Sequence, residues 1–240
     1  MIDLYYAPGP NPRKVAIMLE ECALPYRAIP VDLHKGGQFT AEFLKISPNN
    51  RVPAIVDPDG PDGMPISIFE SGAILIYLAT KAGRFGGDSE RERIAVQEWL
   101  FWQVGGLGPM GGQLSHFVNF AEHGNDYAKA RYAREYDRLL GVMEARLTDS
   151  AFLASDAYSI ADMAAFPWLL PYRIFGVDLD SFARVRCWFD TIKQRPAVRR
   201  AIALGMDWNF ERRELTEAER RMSFEQSAAT VTAARAKQKG

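Results

Sequence analysis

Residues 5–14 read YYAPGPNPRK, a turn that offers two tyrosine hydroxyls, the Asn11 amide and two basic side chains. It contains neither cysteine nor serine, so any thiol chemistry here needs a sulfur from elsewhere. The two cysteines of the chain do not fill that gap. Cys22 shares an apolar stripe with Val15, Met18 and Leu19, where burial raises a thiol pKa and leaves it inert. Cys187, in RVRCWFD, reads the same way. The pair lies far apart with no CxxC spacing, which points to a reducing, cytoplasmic setting without structural disulfides. His34, His116 and His123 show no metal-ligand spacing, and no metal is expected.

Glu70 and Ser71 open the stretch ESGAILIYLATKAG. As helix-capping residues they satisfy free N–H groups and suit the helix dipole. The same geometry binds a ligand carboxylate on the helix N-terminus, while a glutamate beside it takes an ammonium. An α-amino-acid end carries both groups, so capping and ligand binding both remain open. Pro53 interrupts NRVPAIV, where a proline removes a ladder donor. It is either an edge-strand proline or a cis Val52–Pro53 bond at the strand's start. The second arrangement leaves the Val52 backbone free to pair with an extended peptide. YSIAD places Ser159 and Asp162 at capping-box spacing, with Tyr158 and Met163 as a hydrophobic staple. VGGLGPMGGQ lacks both the GxGxxG spacing after a strand and a P-loop lysine, and reads as a helix break.

These residues must be carried by regular elements, and the first 80 positions mix strands and helices. MIDLYY is a strand that stops at Pro8, and Val15, Met18, Leu19 and Cys22 mark one helical face. YRAIPVDL alternates, with Ile29, Val31 and Leu33 on one side, which completes a βαβ unit with parallel strands. A short helix at AEFLKI, strands at NNRVPAIVD and PISIFE, and a helix closed by Gly83 follow. The order is β-α-β-α-β-β-α. Beyond the linker GRFGGDS strand signals vanish; residues 88–104, 127–147, 159–170 and 184–196 all read as helices. The expected division is an α/β domain over 1–83, an all-α domain over 88–210, and a frayed helix or tail over 211–240.

The bulk figures fit a folded protein: 48% hydrophobic and 25% charged residues in 240. A net charge of -1 gives no pull toward nucleic acid or an anionic membrane. The opening MIDLYYAPGP has no basic and apolar leader pattern, and AILIYLA is far too short to span a bilayer.

Taken in order, APGPNPRKV, KGGQF, SPNNRVPAIVD, FESGAILIYL, EWLFWQVGGLGPMGGQ, ARY and SIAD resemble the cytosolic glutathione transferases, and within them the Nu class with its bacterial disulfide-bond reductases. The resemblance covers roughly residues 1–205. It implies a thioredoxin-like N-terminal domain, a helical C-terminal domain and a homodimer. It implies glutathione lying extended, its cysteinyl part paired with the Val52 backbone beside cis Pro53. Glu70 and Ser71 would hold the γ-glutamyl end, Gln38 the glycyl end, and Asn11 would face the sulfur. Arg131 would reach a glutathione across the dimer interface. Two glutathione molecules, or one glutathione disulfide, would sit in each subunit. One departure stands out: the class pattern places threonine where this chain has Gly9.

The resemblance makes bound glutathione the co-substrate and its thiolate the nucleophile. Disulfide reduction is the first reading. The alternative is conjugation or thioether lysis on aromatic substrates, with Gly9 widening the mouth and Trp99, Trp102 and Trp168 as candidate linings. A non-catalytic glutathione-binding regulator ranks below both, because the regulatory fungal relative carries a long Asn/Gln-rich extension and this chain begins on its first strand.

Overall fold

A computed structural model describes residues 1–121, 124–208 and 216–236. Packing groups residues 1–74 with 200–240 as one unit and residues 75–199 as a second.

The first unit is built on a four-stranded sheet in the order β2-β1-β3-β4. β1 (Ile2–Tyr6) and β2 (Tyr26–Pro30) are joined through helix α1 (Pro10–Glu21), and the crossover makes them parallel. α1 starts where Pro10 sits in its first turn, a position that lacks a helical N–H partner anyway. Val15, Ala16, Ile17, Met18 and Leu19 are all fully buried. Cys22, by contrast, forms the C-cap of α1 and is only half-buried, with its Sγ 4.0 Å from Met18 Sδ. The expected inert core thiol is therefore a partly exposed one. β2 is also shorter than the alternation of Ile29, Val31 and Leu33 implied. The Asp32 carboxylate accepts from the N–H groups of His34 and Lys35, turning the chain before the strand can continue.

After α2 (Ala41–Ile46), capped by the Thr40 hydroxyl, come β3 (Ala54–Asp57) and β4 (Ile66–Phe69). Both β1–β3 and β3–β4 are antiparallel. The Val52–Pro53 peptide is cis and immediately precedes β3. α3 (Ser71–Ala82) ends on Gly83 at φ 62°, with Arg84 N–H donating to Ala79 C=O in the overlapping turn that favours glycine there.

The second unit is helical: α4 (Glu90–Trp102), α5 (Gly108–Asn119), α6 (Asp126–Arg146), α7 (Ile160–Leu169) and α8 (Ala183–Lys193), with α9 (Pro196–Ala203) following. The expected break at VGGLGPMGGQ is not a break. The chain runs from α4 through one π-helical turn, Gln103–Leu107, straight into α5. The glycines serve close packing: a Cβ on Gly111 would lie 3.1 Å from the Trp168 ring, and one on Gly108 2.6 Å from Gln103 Nε2. That approach explains Trp168, which is buried, while Trp99 and Trp102 are half-buried and meet edge to face at 5.2 Å. Ser159 and Asp162 form the capping box of α7 as the spacing implied, with Tyr158 and Met163 both buried. Cys187 on α8 is exposed, which corrects its reading as a core residue.

The C-terminal stretch is better anchored than a frayed tail. α10 (Glu217–Phe224) and α11 (Ala228–Ala236) pack with the sheet unit. Ser223 Oγ lies 2.9 Å from His34 Nδ1, Asn50 Nδ2 donates to Gln226 Oε1 at 3.1 Å, and Ala234 is buried. The parts of that stretch at 211–215 and 237–240 lie outside the described residues, as does His123. No described helix is long and apolar enough to cross a membrane.

Candidate active site

Strand pairing explains why distant residues meet. Tyr5 near the end of β1 is in register with Ala54 at the start of β3, and Ala54 with Phe69 at the end of β4. Three chain segments therefore meet at one end of the sheet: the turn into α1, the Val52–Pro53 approach to β3, and the Glu70–Ser71 entry to α3. They enclose a cavity of about 230 Å³ lined by Asn11, Val52, Pro53, Glu70 and Ser71, with Ser47, Asn49, Arg51 and Phe69.

Each group has a physical reason to face a ligand. Val52 packs its side chain against the Val31–Phe43–Ala54 cluster. Among the described residues, neither its N–H nor its C=O is paired, so a short strand edge is on offer. Glu70 takes a left-handed backbone, φ 68°, which disfavours any residue with a Cβ by about 1–2 kcal/mol. Its carboxylate accepts from Asn49 Nδ2 at 3.2 Å, and its C=O accepts from Ile74 N–H. Ser71, 7% exposed, stands at the first turn of α3, where free N–H groups favour an anion. Asn11 is half-buried in the first turn of α1. No cysteine lines the cavity, and neither Tyr5 nor Tyr6 does.

Two candidates lie elsewhere. Gln38 is buried on the 3-10 turn Gly37–Phe39; its Nε2 donates to Leu33 C=O at 3.0 Å, and its Oε1 has no partner among the described residues. Arg131 is an exposed side chain on α6 in the second unit, 3.6 Å from Glu135. A larger hollow of about 790 Å³ within the helical unit includes Cys187 and Glu144, but Glu144 is engaged in capping α8 through the N–H groups of Arg184 and Val185. Among the described residues no cluster of His, Cys, Asp or Glu is assembled to hold a metal.

Residues 8–81 match the model of the glutathione S-transferase N-terminal domain, and residues 113–196 that of the C-terminal domain. The chain belongs to the glutathione S-transferase family. It is 52% identical over 203 residues to disulfide-bond oxidoreductase YfcG of Escherichia coli K12, covering 84% of this chain and 94% of that protein. Disulfide-bond oxidoreductase YghU of the same organism is 37% identical, over 83% of this chain and 73% of its own. A Pseudomonas putida glutathione transferase, crystallised with one glutathione disulfide per subunit, superposes with TM-score 0.81 at 42% identity, covering 85% and 91% of the two chains. A Burkholderia graminis transferase with two glutathione molecules per subunit gives 0.80 at 41%, covering 86% and 89%. The thioredoxin-like sheet followed by helices is the glutathione S-transferase fold.

Around this cavity, sequence reasoning missed Ser47, Asn49, Arg51 and Phe69, which line it, and Lys14 behind it. Asn49 and Arg51 lie within the NNRVP segment and were accessible to inspection, since the loop leading to Val52 lines the same cavity. Lys14 had no signal: on α1 it reads as a polar neighbour of Val15, yet it is 2% exposed. Burial lowers its pKa from 10.5 to about 7, against the opposing pull of the Glu70 charge.

Proposed function

We propose that the protein is a glutathione-dependent disulfide-bond reductase whose nucleophile is the thiolate of bound glutathione. What carries the reading is a cysteine-free cavity that offers a free strand edge at Val52, a carboxylate at Glu70 and a helix N-terminus at Ser71. The γ-glutamyl ammonium pairs with Glu70, its carboxylate with Ser71, and the cysteinyl amide with Val52. Asn11 donates to the sulfur, Gln38 serves the glycyl end, and Arg131 serves glutathione held by the other subunit of a homodimer. A cytoplasmic setting suits such a reductase, because glutathione is held reduced there.

The chemistry balances without a protein thiol. Bound thiolate attacks one sulfur of a disulfide; the S–S bond breaks, and the leaving thiolate takes up a proton. A second glutathione thiolate then attacks the glutathione sulfur of the mixed product, releasing the other substrate thiol and glutathione disulfide. Two glutathiones give up one electron each and the substrate gains both. Lowering a thiol pKa from about 8.5 to about 7 raises the reactive fraction at neutral pH more than tenfold, for about 2 kcal/mol of differential stabilisation. An amide donor and a helix N-terminus are each of about that size.

Replacing both Cys22 and Cys187 by alanine should leave glutathione-dependent reduction of a small disulfide intact, while Asn11→Ala should lose most of it. Loss of turnover in the cysteine-free protein would sink the scheme. Gly9 prompts a second reading, in which a position without a side chain two residues before Asn11 would leave room for aromatic electrophiles or for glutathione thioethers. Turnover on a small disulfide against turnover on a chloronitroaromatic separates the two.

A further inference from the structure

Lys14 sits behind the cavity rather than in it. Its Nζ donates to Ser71 Oγ at 3.3 Å, joining α1 to the start of α3 across 57 positions of sequence. Burying a cation this deeply is costly, and an apolar side chain of similar volume packs without that cost. One contact of that ammonium bears on the cavity.

Ser71 supplies it. A hydroxyl has one proton and two lone pairs, and an ammonium can only donate. While Lys14 is protonated it occupies a lone pair of Ser71 Oγ, and the hydroxyl proton must point elsewhere. Among the described residues it has no acceptor of its own, and Ser71 lines the cavity. We propose that Lys14 is a positioning residue that turns the Ser71 hydroxyl outward as a donor to a ligand carboxylate, so that carboxylate binding is coupled to protonation of a buried amine. This rests on the glutathione reading, in which the carboxylate is that of the γ-glutamyl end.

Deprotonation reverses the bond. A neutral amine accepts, the Ser71 O–H swings toward it, and the cavity loses both a donor and the positive charge behind it. Glu70, from the β4–α3 junction, is a charged group whose field favours the ammonium of Lys14. Arg13 precedes it on α1, and Arg51 lines the cavity. A bound carboxylate favours the ammonium, so the Lys14 pKa rises on binding from its free value of about 7. Affinity is therefore full below that value and falls as pH rises above it, and binding takes up a proton in the interval between free and bound values.

Calorimetry with S-methylglutathione tests this, because the blocked sulfur cannot titrate. Titrations at about pH 7.5 in buffers of different ionisation enthalpy should show a substantial fraction of a proton taken up, falling toward zero at about pH 5.5. Lys14→Met should bind roughly tenfold more weakly at about pH 6.5 and show no uptake. Lys14→Arg, which keeps a charge that does not titrate, should restore affinity without uptake. Wild-type binding with no uptake, or unchanged affinity and uptake in Lys14→Met, overturns the proposal and leaves the glutathione reading standing. The wild-type titration alone decides if Lys14→Met fails to fold. No binding by the wild type at any pH overturns both.

Discussion

In the proposed site Asn11 would act at the sulfur without a neighbouring hydroxyl, because position 9 is glycine. Gly9 is not there for its backbone: at φ 172°, ψ 164° it is extended, a conformation open to any residue. A Cβ would find Pro12 Cδ at 3.8 Å and Ala7 O at 4.0 Å, ordinary contact distances. Gly9→Thr should therefore fold normally, since β-branched residues accept extended backbone. One added hydrogen bond to a developing thiolate is worth about 1–1.5 kcal/mol, roughly a tenfold gain in the rate of disulfide reduction. Steady-state turnover on a small disulfide checks it, and an unchanged or lower rate would mean the sulfur does not lie beside residue 9. Glu70 shows the opposite case, a non-glycine residue held at φ 68°. Such strain persists where the surroundings impose it, commonly at a ligand clamp.

α7 shows how far local signals reach. Its capping box was legible because Ser and Asp three positions apart satisfy free helix N–H groups with no help from distant chain. Spacing could not reveal what else Asp162 does. The fully buried carboxylate accepts from Ser159 N–H and Oγ at 3.0 Å, and from Leu153 N–H and Trp188 Nε1 at 2.9 Å. Burial pushes its pKa up while these donors act the other way. Asp162→Ala should strand several buried donors and cost about 3–5 kcal/mol, read as a lowered midpoint in urea unfolding. A loss within about 0.5 kcal/mol, normal for a surface change, would show the network to be dispensable. The π turn and α5 were not legible, because a glycine's helix propensity is poor. Here close approach to Trp168 outweighs it. Cys187 misled for a related reason: a helical stripe says which residues share a face, not whether a neighbour covers it.

The tail connects distant parts of the first unit. α10 and α11 meet the segment that holds His34, Pro48 and Asn50, the stretch leading from Gln38 toward Val52. Deleting residues 216–240 should loosen that segment. Amide exchange over 34–50 should speed up by roughly tenfold or more, with β1 and β3 unaffected. Unchanged exchange would show the tail to be a bystander. Most strand positions, the Val15–Met18–Leu19 stripe of α1 and the Glu70–Ser71 opening of α3 were readable in advance, because periodicity and capping are local properties of a chain, whereas Pro53 left an edge-strand and a cis reading both open. Convergence of Asn11, Val52 and Ser71 on one cavity came from register between strands. Lys14 came from the same source: how far a charge is removed from water depends on what folds over it, and no run of neighbouring letters carries that.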